Sequence, residues 1–212
     1  MTGDNDQSGD TLIQIFTRTP IEGEVKTRLI PKLGAHRSCE LQKRMTIHTL
    51  GIAQNTSSKI EIWVTPTIDH PFLRGLNPNF QLKIQIGKTL SERMAYSLEH
   101  GLKAYKKVIL IGCDCPTIDN KLLIMALSLL DKHKYVFIPV EDGGFSLIGS
   151  ALFSRKIFQG VVWKGNSVMA QLRNNLKKYH QSWAELPTLW DIDEFTDYER
   201  LSRHMPHLTS NL

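Results

Sequence analysis

Apolar residues follow two alternating periods along the chain, one typical of buried strands and the other of amphipathic helices. Residues 12–17 have the branched and aromatic composition of a buried strand, whereas Leu90, Met94 and Leu98 recur at helical spacing. The predicted strands are residues 12–17, 60–65, 82–86, 108–112, 135–139, 145–149 and a short one near 183–186. The predicted helices have apolar stripes within residues 41–52, 90–102, 122–130 and 168–179, with a last helix from Thr196.

Strands that alternate with helices predict an α/β layer fold with a mainly parallel sheet. Two sequences have the form of a capping box ahead of a helix, Thr89 with Glu92 and Thr196 with Glu199. Because no repeat, linker or shift in composition divides the chain, we expect a single domain over residues 11–205. We expect a disordered polar tail over residues 1–10 and a C-terminal tail over residues 206–212.

The distribution of charge says more about the ligand than the formal net charge of +5 does. Basic residues concentrate in the first quarter of the chain and acidic residues near its end. A face that binds nucleic acid usually spreads basic residues along a stripe with interleaved aromatic residues, and this chain shows no such stripe. We therefore expect a small phosphorylated ligand and no nucleic acid.

Other features of the sequence predict a cytoplasmic protein without a membrane span. No apolar run approaches the roughly 20 residues that a membrane-spanning helix needs. The polar, acidic start of the chain differs from a signal peptide and from an amphipathic transit segment. Three cysteines are too few for a disulfide framework, which fits a reducing compartment.

The loop after the first predicted strand is the first candidate for ligand binding, since ligands of open α/β sheets bind beyond the carboxyl ends of the strands. Residues 16–29 carry Arg18, Lys26 and Arg28 around Gly23. Glycine lets backbone N–H groups approach a phosphate, and the basic side chains neutralise its charge. A solvated basic loop would have the same composition, so both interpretations stay open.

Acidic residues after later strands are candidates for a metal site. Asp114 is the first charge after the most apolar strand, and Asp191 and Asp193 project to one side of an extended chain. Carboxylates in such positions can hold Mg²⁺ or Mn²⁺. Helix capping and ordinary solvation remain alternatives for these acids. The neighbouring Cys113 and Cys115 lack the partners of a zinc site, and we interpret them as packing residues.

Residues 141–145, Glu-Asp-Gly-Gly-Phe, form a fourth candidate. Adjacent glycines after acidic residues favour a tight hairpin turn. The same residues could present an open backbone surface to a ligand. The segment alone does not decide between the two.

Taken in order, these segments resemble a bacterial glycosyltransferase-like family of the GT-A (nucleotide-diphospho-sugar transferase) fold. That family is distantly similar to molybdopterin guanylyltransferase and 2-phospholactate guanylyltransferase, and the likeness covers about residues 12–201. The motifs that carry it are Phe16-x-Arg18-x-Pro20-x-x-Gly23-x-Val25-Lys26-Thr27-Arg28-Leu29, Gly112-x-Asp114-Cys115-Pro116, Glu141-Asp142-Gly143-Gly144-Phe145, and Leu189-Trp190-Asp191-Ile192-Asp193 with Asp197. Residues 85–94, which include Arg93, are also similar to the family.

The resemblance implies a Rossmann-like GT-A fold with three α/β/α layers and a site for each part of the reaction. Residues in matching positions would bind the nucleotide (Arg18, Gly23, Lys26 and Arg28), line the acceptor or sugar side (Arg93, Asp142, Gly143 and Gly144) and hold Mg²⁺ or Mn²⁺ (Asp114, Asp191 and Asp193). Asp114 and Asp193 would be the catalytic residues.

The function that the resemblance implies is metal-dependent transfer from a nucleotide-activated small-molecule donor to an acceptor. A glycosyltransferase that uses a nucleoside diphosphate-sugar is the first expectation. A guanylyltransferase-like nucleotidyltransferase that releases pyrophosphate is the alternative, and a non-catalytic nucleotide-binding protein is the third. On this interpretation Asp114→Asn abolishes transfer and leaves the melting temperature nearly unchanged.

Overall fold

A seven-stranded sheet forms the centre of the computed structural model, which describes residues 10–163 and 165–212. The strands are β1 (Thr11–Arg18), β2 (Lys59–Thr65), β3 (Gln81–Ile84), β4 (Lys107–Gly112), β5 (Tyr135–Pro139), β6 (Phe145–Ser150) and β7 (Trp183–Glu185). They lie side by side in the order β3-β2-β1-β4-β6-β5-β7. β6 runs antiparallel to both of its neighbours, and the other neighbouring pairs are parallel. The predicted α/β fold with a mainly parallel sheet is confirmed.

Helices cover both faces of this sheet. They are α1 (Ile30–Leu33), α2 (Ala35–Gln54), α3 (Pro71–Arg74), α4 (Leu90–Gly101), α5 (Asn120–Leu129), α6 (Val168–Lys178), α7 (Phe195–His204) and α8 (Pro206–Thr209), with a 3₁₀ turn at Arg155–Phe158. Apolar residues of α2, α3 and α5 pack on one face, and those of α4, the 3₁₀ turn and α6 pack on the other. The arrangement is the three-layer α/β/α architecture that the resemblance implies.

Alternation along β1 shows how the central strands hold the two helical layers. Ile13 and Ile15 are completely buried against the α2 side, whereas Leu12 and Phe16 are buried against the α4 side. Burying one such side chain contributes roughly 1.5–3 kcal/mol. Because β1 is apolar on both faces, its packing fixes the position of its last residue, Arg18, at the end of the sheet where the parallel strands terminate.

Helix starts differ in part from the predicted capping boxes. Thr89 caps α4 as predicted and accepts a hydrogen bond from the backbone N–H of Glu92 (3.2 Å). At α7 the prediction is wrong by two residues, because the helix begins at Phe195 and Thr196 lies inside its first turn. A carboxylate oxygen of Asp197 accepts the backbone N–H of Glu194 (2.8 Å), the role that the sequence assigned to Glu199.

The structure describes all of the predicted C-terminal tail and only Asp10 of the predicted N-terminal one. Residues 1–9 of the N-terminal tail lie outside the described residues. Residues 206–212 contain α8, which packs on α2 through the buried Leu208, and Arg44 donates hydrogen bonds to the carbonyls of Leu208 and Asn211. The C-terminal segment is therefore packed against the rest of the fold.

Within residues 10–163 and 165–212, none of the helices combines the length and the apolar character needed to cross a lipid bilayer.

Candidate functional site

A cleft of about 540 Å³ lies at the edge of the sheet where the parallel strands end. β1 and β4, which are neighbours in the sheet, contribute their last residues, and the antiparallel β6 begins there with Phe145 and Ser146. Ligands of this class of sheet bind at this edge. The charged side chains that line the cleft are Arg18, Glu24, Lys26, Arg28, Arg93, Asp114, Asp191 and Asp193.

The loop after β1 carries its basic residues in an irregular conformation. Gly23 has φ +84° and Lys26 has φ +47°, both in the left-handed region. No atom lies within 4 Å of where a side chain at Gly23 would begin, so glycine is favoured there by the backbone conformation and not by lack of space. Gly23 shapes the loop without lining the cleft, whereas Lys26 and Arg28 extend into it.

Lys26 joins the loop to two distant segments. Its ammonium group lies 2.6 Å from a carboxylate oxygen of Asp114 and donates a hydrogen bond to the carbonyl of Ile192. The side chain is only 6% exposed. The backbone N–H of Ile192 in turn donates to the carbonyl of Asp114 (2.8 Å). Three of the four segments that the sequence singled out therefore meet at one point.

Arg28 makes a second contact between the loop and the acidic segment. Its guanidinium donates to a carboxylate oxygen of Asp193 at 2.8 Å, and about half or more of each side chain is exposed. Exposed pairs of this kind contribute roughly 0–1 kcal/mol, so the pair orients the two side chains more than it stabilises the fold.

Asp191 lies among other acids. Burial raises its pKa to about 6, and the carboxylates of Asp142, Asp193 and Asp114 also raise it. A bound cation would favour the ionised form of such a carboxylate. The predicted metal-binding acids are therefore close enough to interact electrostatically.

The Glu-Asp-Gly-Gly turn lies beside the cleft. A carboxylate oxygen of Asp142 accepts the backbone N–H of Gly144 (2.8 Å), which closes the turn. Gly143 has φ +86°, and a side chain there would begin 2.0 Å from the carbonyl oxygen of Asn166. Gly143 thus has a structural reason to be glycine. None of Asp142, Gly143 and Gly144 lines the cleft, although Asp142 influences Asp191.

The two cysteines beside Asp114 are packing residues, as interpreted from the sequence. Both are buried, and burial raises the pKa of Cys113 to about 11. A thiol with such a pKa stays protonated at neutral pH and is a poor nucleophile and a poor metal ligand.

Sequence reasoning missed Thr65 and Gln85, which line the cleft at the ends of β2 and β3. Gln85 donates hydrogen bonds to the carbonyls of Thr17 (3.2 Å) and Trp63 (2.9 Å), and so ties three strand ends together. Their positions at the carboxyl ends of the predicted strands 60–65 and 82–86 were a usable signal, but a single uncharged side chain does not by itself indicate a ligand.

The comparisons with known proteins begin with a family model described as "Uncharacterized protein conserved in bacteria (DUF2064)", which matches residues 49–165. A comparison with curated proteins gave no match. A solved structure from Desulfovibrio desulfuricans, named provisionally as a nucleotide-diphospho-sugar transferase, is 25% identical with a TM-score of 0.86. The likeness covers 95% of this chain and 91% of that one.

Two further structures share the fold at low identity. The 4-diphosphocytidyl-2C-methyl-D-erythritol synthase of Anaerococcus prevotii is 11% identical with a TM-score of 0.63, covering 96% of this chain and 100% of that one. Rv0371c of Mycobacterium tuberculosis, solved in complex with manganese, is 11% identical with a TM-score of 0.56, covering 92% and 99%. The fold of this chain is thus that of nucleotide-diphospho-sugar transferases and cytidylyltransferases.

Proposed function

Since the chain belongs to the DUF2064 family of bacterial proteins and has this transferase fold, we propose that it is a transferase that uses a nucleotide-activated donor. Its first candidate reaction is glycosyl transfer from a nucleoside diphosphate-sugar. The observation that supports this most is the contact of Lys26 with Asp114 and Ile192, because it brings a basic loop and an acidic segment into one cleft. The provisional name of the Desulfovibrio protein, a nucleotide-diphospho-sugar transferase, supports the same reaction.

The acidic residues fit a divalent cation. Asp114, Asp191 and Asp193 offer carboxylate oxygens, which are the ligands that Mg²⁺ and Mn²⁺ prefer. Burial raises the pKa of Asp191 most and the carboxylates of Asp142, Asp193 and Asp114 raise it further, so a cation bound there would favour its ionised form. Within the described ranges, no three His, Cys, Asp or Glu side chains are already arranged as a metal site. The manganese in the Rv0371c structure supports the same choice of ion.

In the proposed mechanism the protein positions charge and needs no nucleophilic side chain. Lys26 and Arg28 bind the donor phosphates, and the loop that carries them is fixed by its contacts to the acidic segment. A divalent cation held by Asp114, Asp191 and Asp193 supplies positive charge where the leaving phosphate becomes more negative. Arg18, which the sequence groups with Lys26 and Arg28, lines the same cleft from the end of β1, on the α4 face of the sheet.

Nucleotidyl transfer is the second candidate, because the Anaerococcus protein that shares the fold is named as the synthase of a diphosphocytidyl compound. In that reaction the acceptor attacks the α-phosphorus of a triphosphate and releases pyrophosphate. Glycosyl transfer instead releases a nucleoside diphosphate. The same basic and acidic side chains serve either reaction.

A thermal-shift screen of nucleoside diphosphates and triphosphates, each with Mn²⁺ or with EDTA, tests the proposal. We expect at least one nucleotide to stabilise the protein with Mn²⁺ and not with EDTA, by about 2.7 kcal/mol at one hundred times its Kd. Asp191→Asn should remove the effect of Mn²⁺, whereas Glu199→Gln, an exposed acid outside the cleft, should keep it.

Product analysis then separates the candidates. Pyrophosphate released from a triphosphate would identify nucleotidyl transfer, and a nucleoside diphosphate released from an activated sugar would identify glycosyl transfer. Nucleotide binding that is equal in Mn²⁺ and EDTA, with no product from any donor, would contradict the proposed function and leave a binding protein.

A further inference from the structure

We propose that Arg18 and Arg93 form an anion-binding subsite for the second substrate, the molecule that shares the cleft with the nucleotide. That molecule would carry a phosphate or carboxylate on an apolar body. The inference rests on the proposed function, since it assigns the part of the same cleft that the nucleotide does not use.

Strand register places Arg18 close to Arg93. Arg18 is paired with Thr65 on the parallel neighbour β2, so both side chains lie on the same face of the sheet. Two residues earlier, Phe16 and Trp63 are buried on that face against α4. Arg93, in the first turns of α4, donates to the hydroxyl of Thr65 at 3.4 Å. Thr65 is therefore the common neighbour of the two arginines.

Arg93 is also held in place by the backbone. Its Nε donates to the carbonyl of Gly87 at 3.0 Å, and its other contact, with Thr65, is long. The guanidinium has five N–H donors in a planar fork, and these two contacts leave three of them for a ligand. A side chain oriented in this way loses little conformational entropy when an anion binds.

Among the described residues, no acid forms an ion pair with either of the two arginines. Lys26 and Arg28 lie within ion-pair distance of Asp114 and Asp193. By contrast, in the part of the chain that the structure describes, no carboxylate oxygen lies within 4.0 Å of a side-chain nitrogen of Arg18 or Arg93. Both arginines nevertheless line the cleft. Guanidinium groups in such a position favour phosphate and carboxylate, which they can bind through two parallel hydrogen bonds.

Apolar side chains lie beside the arginines in the same cleft. Leu90 is 54% exposed at the start of α4, three residues before Arg93, and Met94 and Phe145 also line the cleft. An exposed leucine beside a concave surface favours contact with the carbon skeleton of a ligand. The cleft thus offers cations and an apolar surface at its β1–α4 side, and acids at its β4 side.

Benzyl phosphate and benzyl alcohol form a matched pair of probes, because they share the apolar body and differ in the anion. Phenylacetate adds a carboxylate to the comparison. Each is titrated into the protein and followed by ligand-observed NMR or calorimetry. We expect one of the two anions to bind at least tenfold more tightly than benzyl alcohol, and the tighter anion shows whether the subsite favours phosphate or carboxylate.

Variants then locate the binding. Arg18→Gln and Arg93→Gln should each weaken the preferred anion about tenfold or more, since a hydrogen bond to a charged group contributes about 1.5–3 kcal/mol. Arg93→Lys, which keeps the charge, should retain part of the affinity. Arg37→Gln removes the same charge from an exposed position of α2 outside the cleft and should bind like the wild type. Melting curves of all variants show whether each is folded.

The outcomes separate this inference from the proposed function. Loss of anion binding in the folded Arg18 and Arg93 variants, with unchanged nucleotide binding, supports the subsite. Equal binding of the anions and the alcohol by the wild type overturns it, as does equal anion binding by the variants. Loss of nucleotide affinity in both variants also overturns it and leaves the proposed function intact. Anion binding by a wild type that binds no nucleotide keeps the subsite and contradicts the proposed function.

Discussion

At the scale of single residues, the buried ammonium group of Lys26 decides what replacement of Asp114 does. The carboxylate of Asp114 is the charged partner of a side chain that is 6% exposed. Asp114→Asn would leave that ammonium with neutral partners, and we expect the free energy of unfolding to fall by about 1–2 kcal/mol. The melting temperature should therefore fall, contrary to the expectation from the sequence. Urea denaturation measures the difference.

Asp193→Asn is the matched control for this prediction. Its carboxylate pairs with Arg28 in solvent, so its loss should change the free energy of unfolding by less than 1 kcal/mol. Equal destabilisation by the two variants would show that the buried contact between Lys26 and Asp114 stabilises the fold no more than the exposed pair of Arg28 and Asp193 does. Both variants should lose transferase activity if these acids hold the metal.

Asp191 makes stability depend on pH in the absence of divalent cations. Because its pKa is about 6 in the folded protein and 3.8 ordinarily, the folded state binds more protons between these values, and stability falls as pH rises through them. Asp191→Asn should therefore be more stable than the wild type at pH 7 and equally stable near pH 3.5. Solvent reaches part of the side chain, so we expect a difference of about 1 kcal/mol.

Urea denaturation in EDTA between pH 3.5 and 7.5 measures this difference. Glu199→Gln should follow the wild type at every pH, since that residue lies outside the acidic group. Parallel curves for Asp191→Asn and the wild type would show that the acids do not interact as described.

The sequence identified the residues of the cleft whose charged side chains are of a type that binds phosphates or metal ions. Lys26, Arg28, Asp114, Asp191 and Asp193 all line the cleft. It could not predict their pairing, because contacts such as that between Lys26 and Ile192 join residues 166 positions apart. Whether a lysine is exposed or buried against a carbonyl depends on the packing of segments that no local pattern relates.

At the scale of elements, the turn between β5 and β6 has a stricter requirement for glycine than the loop after β1. Gly143 and Gly23 have nearly the same positive φ, but a side chain at Gly143 would meet the backbone of Asn166, and one at Gly23 would meet nothing. Gly23→Ala should cost about 1–2 kcal/mol through backbone strain alone. Gly143→Ala should cost at least about 2 kcal/mol more, because backbone atoms must move.

Denaturant titration of the two variants measures the free energy of unfolding of each. The difference between them separates the effect of the contact with Asn166 from the effect of backbone strain, which both variants share. Similar losses in both would show that the loop containing Asn166 moves away easily. The sequence predicts a turn at Gly143. The requirement for glycine there comes from a contact with Asn166 in another loop, which sequence patterns do not reveal.

Predictions of the elements were most accurate where the pattern is local. The strand at Tyr135–Pro139 and the cap at Thr89 follow directly from apolar runs and a hydroxyl residue. The start of α7 was misplaced because Glu194 and Asp197 lie only two residues before an equally plausible pair, Thr196 and Glu199. Short helices such as α1 and α8 contain too few residues to show a period.

At the scale of the whole molecule, the C-terminal helix α8 contributes to stability. Leu208 is 5% exposed and packs in a cluster with residues of α2 and α7. Leu208→Ala should lower the free energy of unfolding by about 2–3 kcal/mol. Val162→Ala, at a position that is 61% exposed, should change it by less than about 0.5 kcal/mol. A Leu208→Ala variant as stable as the wild type would show that residues 206–212 form only a tail.

The sequence predicted that the sheet is mainly parallel, but it did not predict the order of the strands. Alternating strands and helices indicate parallel pairing, and the central apolar strand β4 does lie beside β1. The insertion of antiparallel β6 between β4 and β5 does not follow from periodicity, because these three strands are all largely buried and their patterns do not specify which of them pair. Its position brings Phe145 and Ser146 into the cleft.

The backbone link between Asp114 and Ile192 has a consequence for synthesis on the ribosome. The basic loop and the central strands leave the exit tunnel before residue 192, the partner of Lys26, which is translated 166 residues after that lysine. A nascent chain can thus build most of its sheet while its binding pocket is still incomplete. If the proposed function holds, nucleotides would therefore stabilise chains that have been translated past residue 192 and not shorter ones.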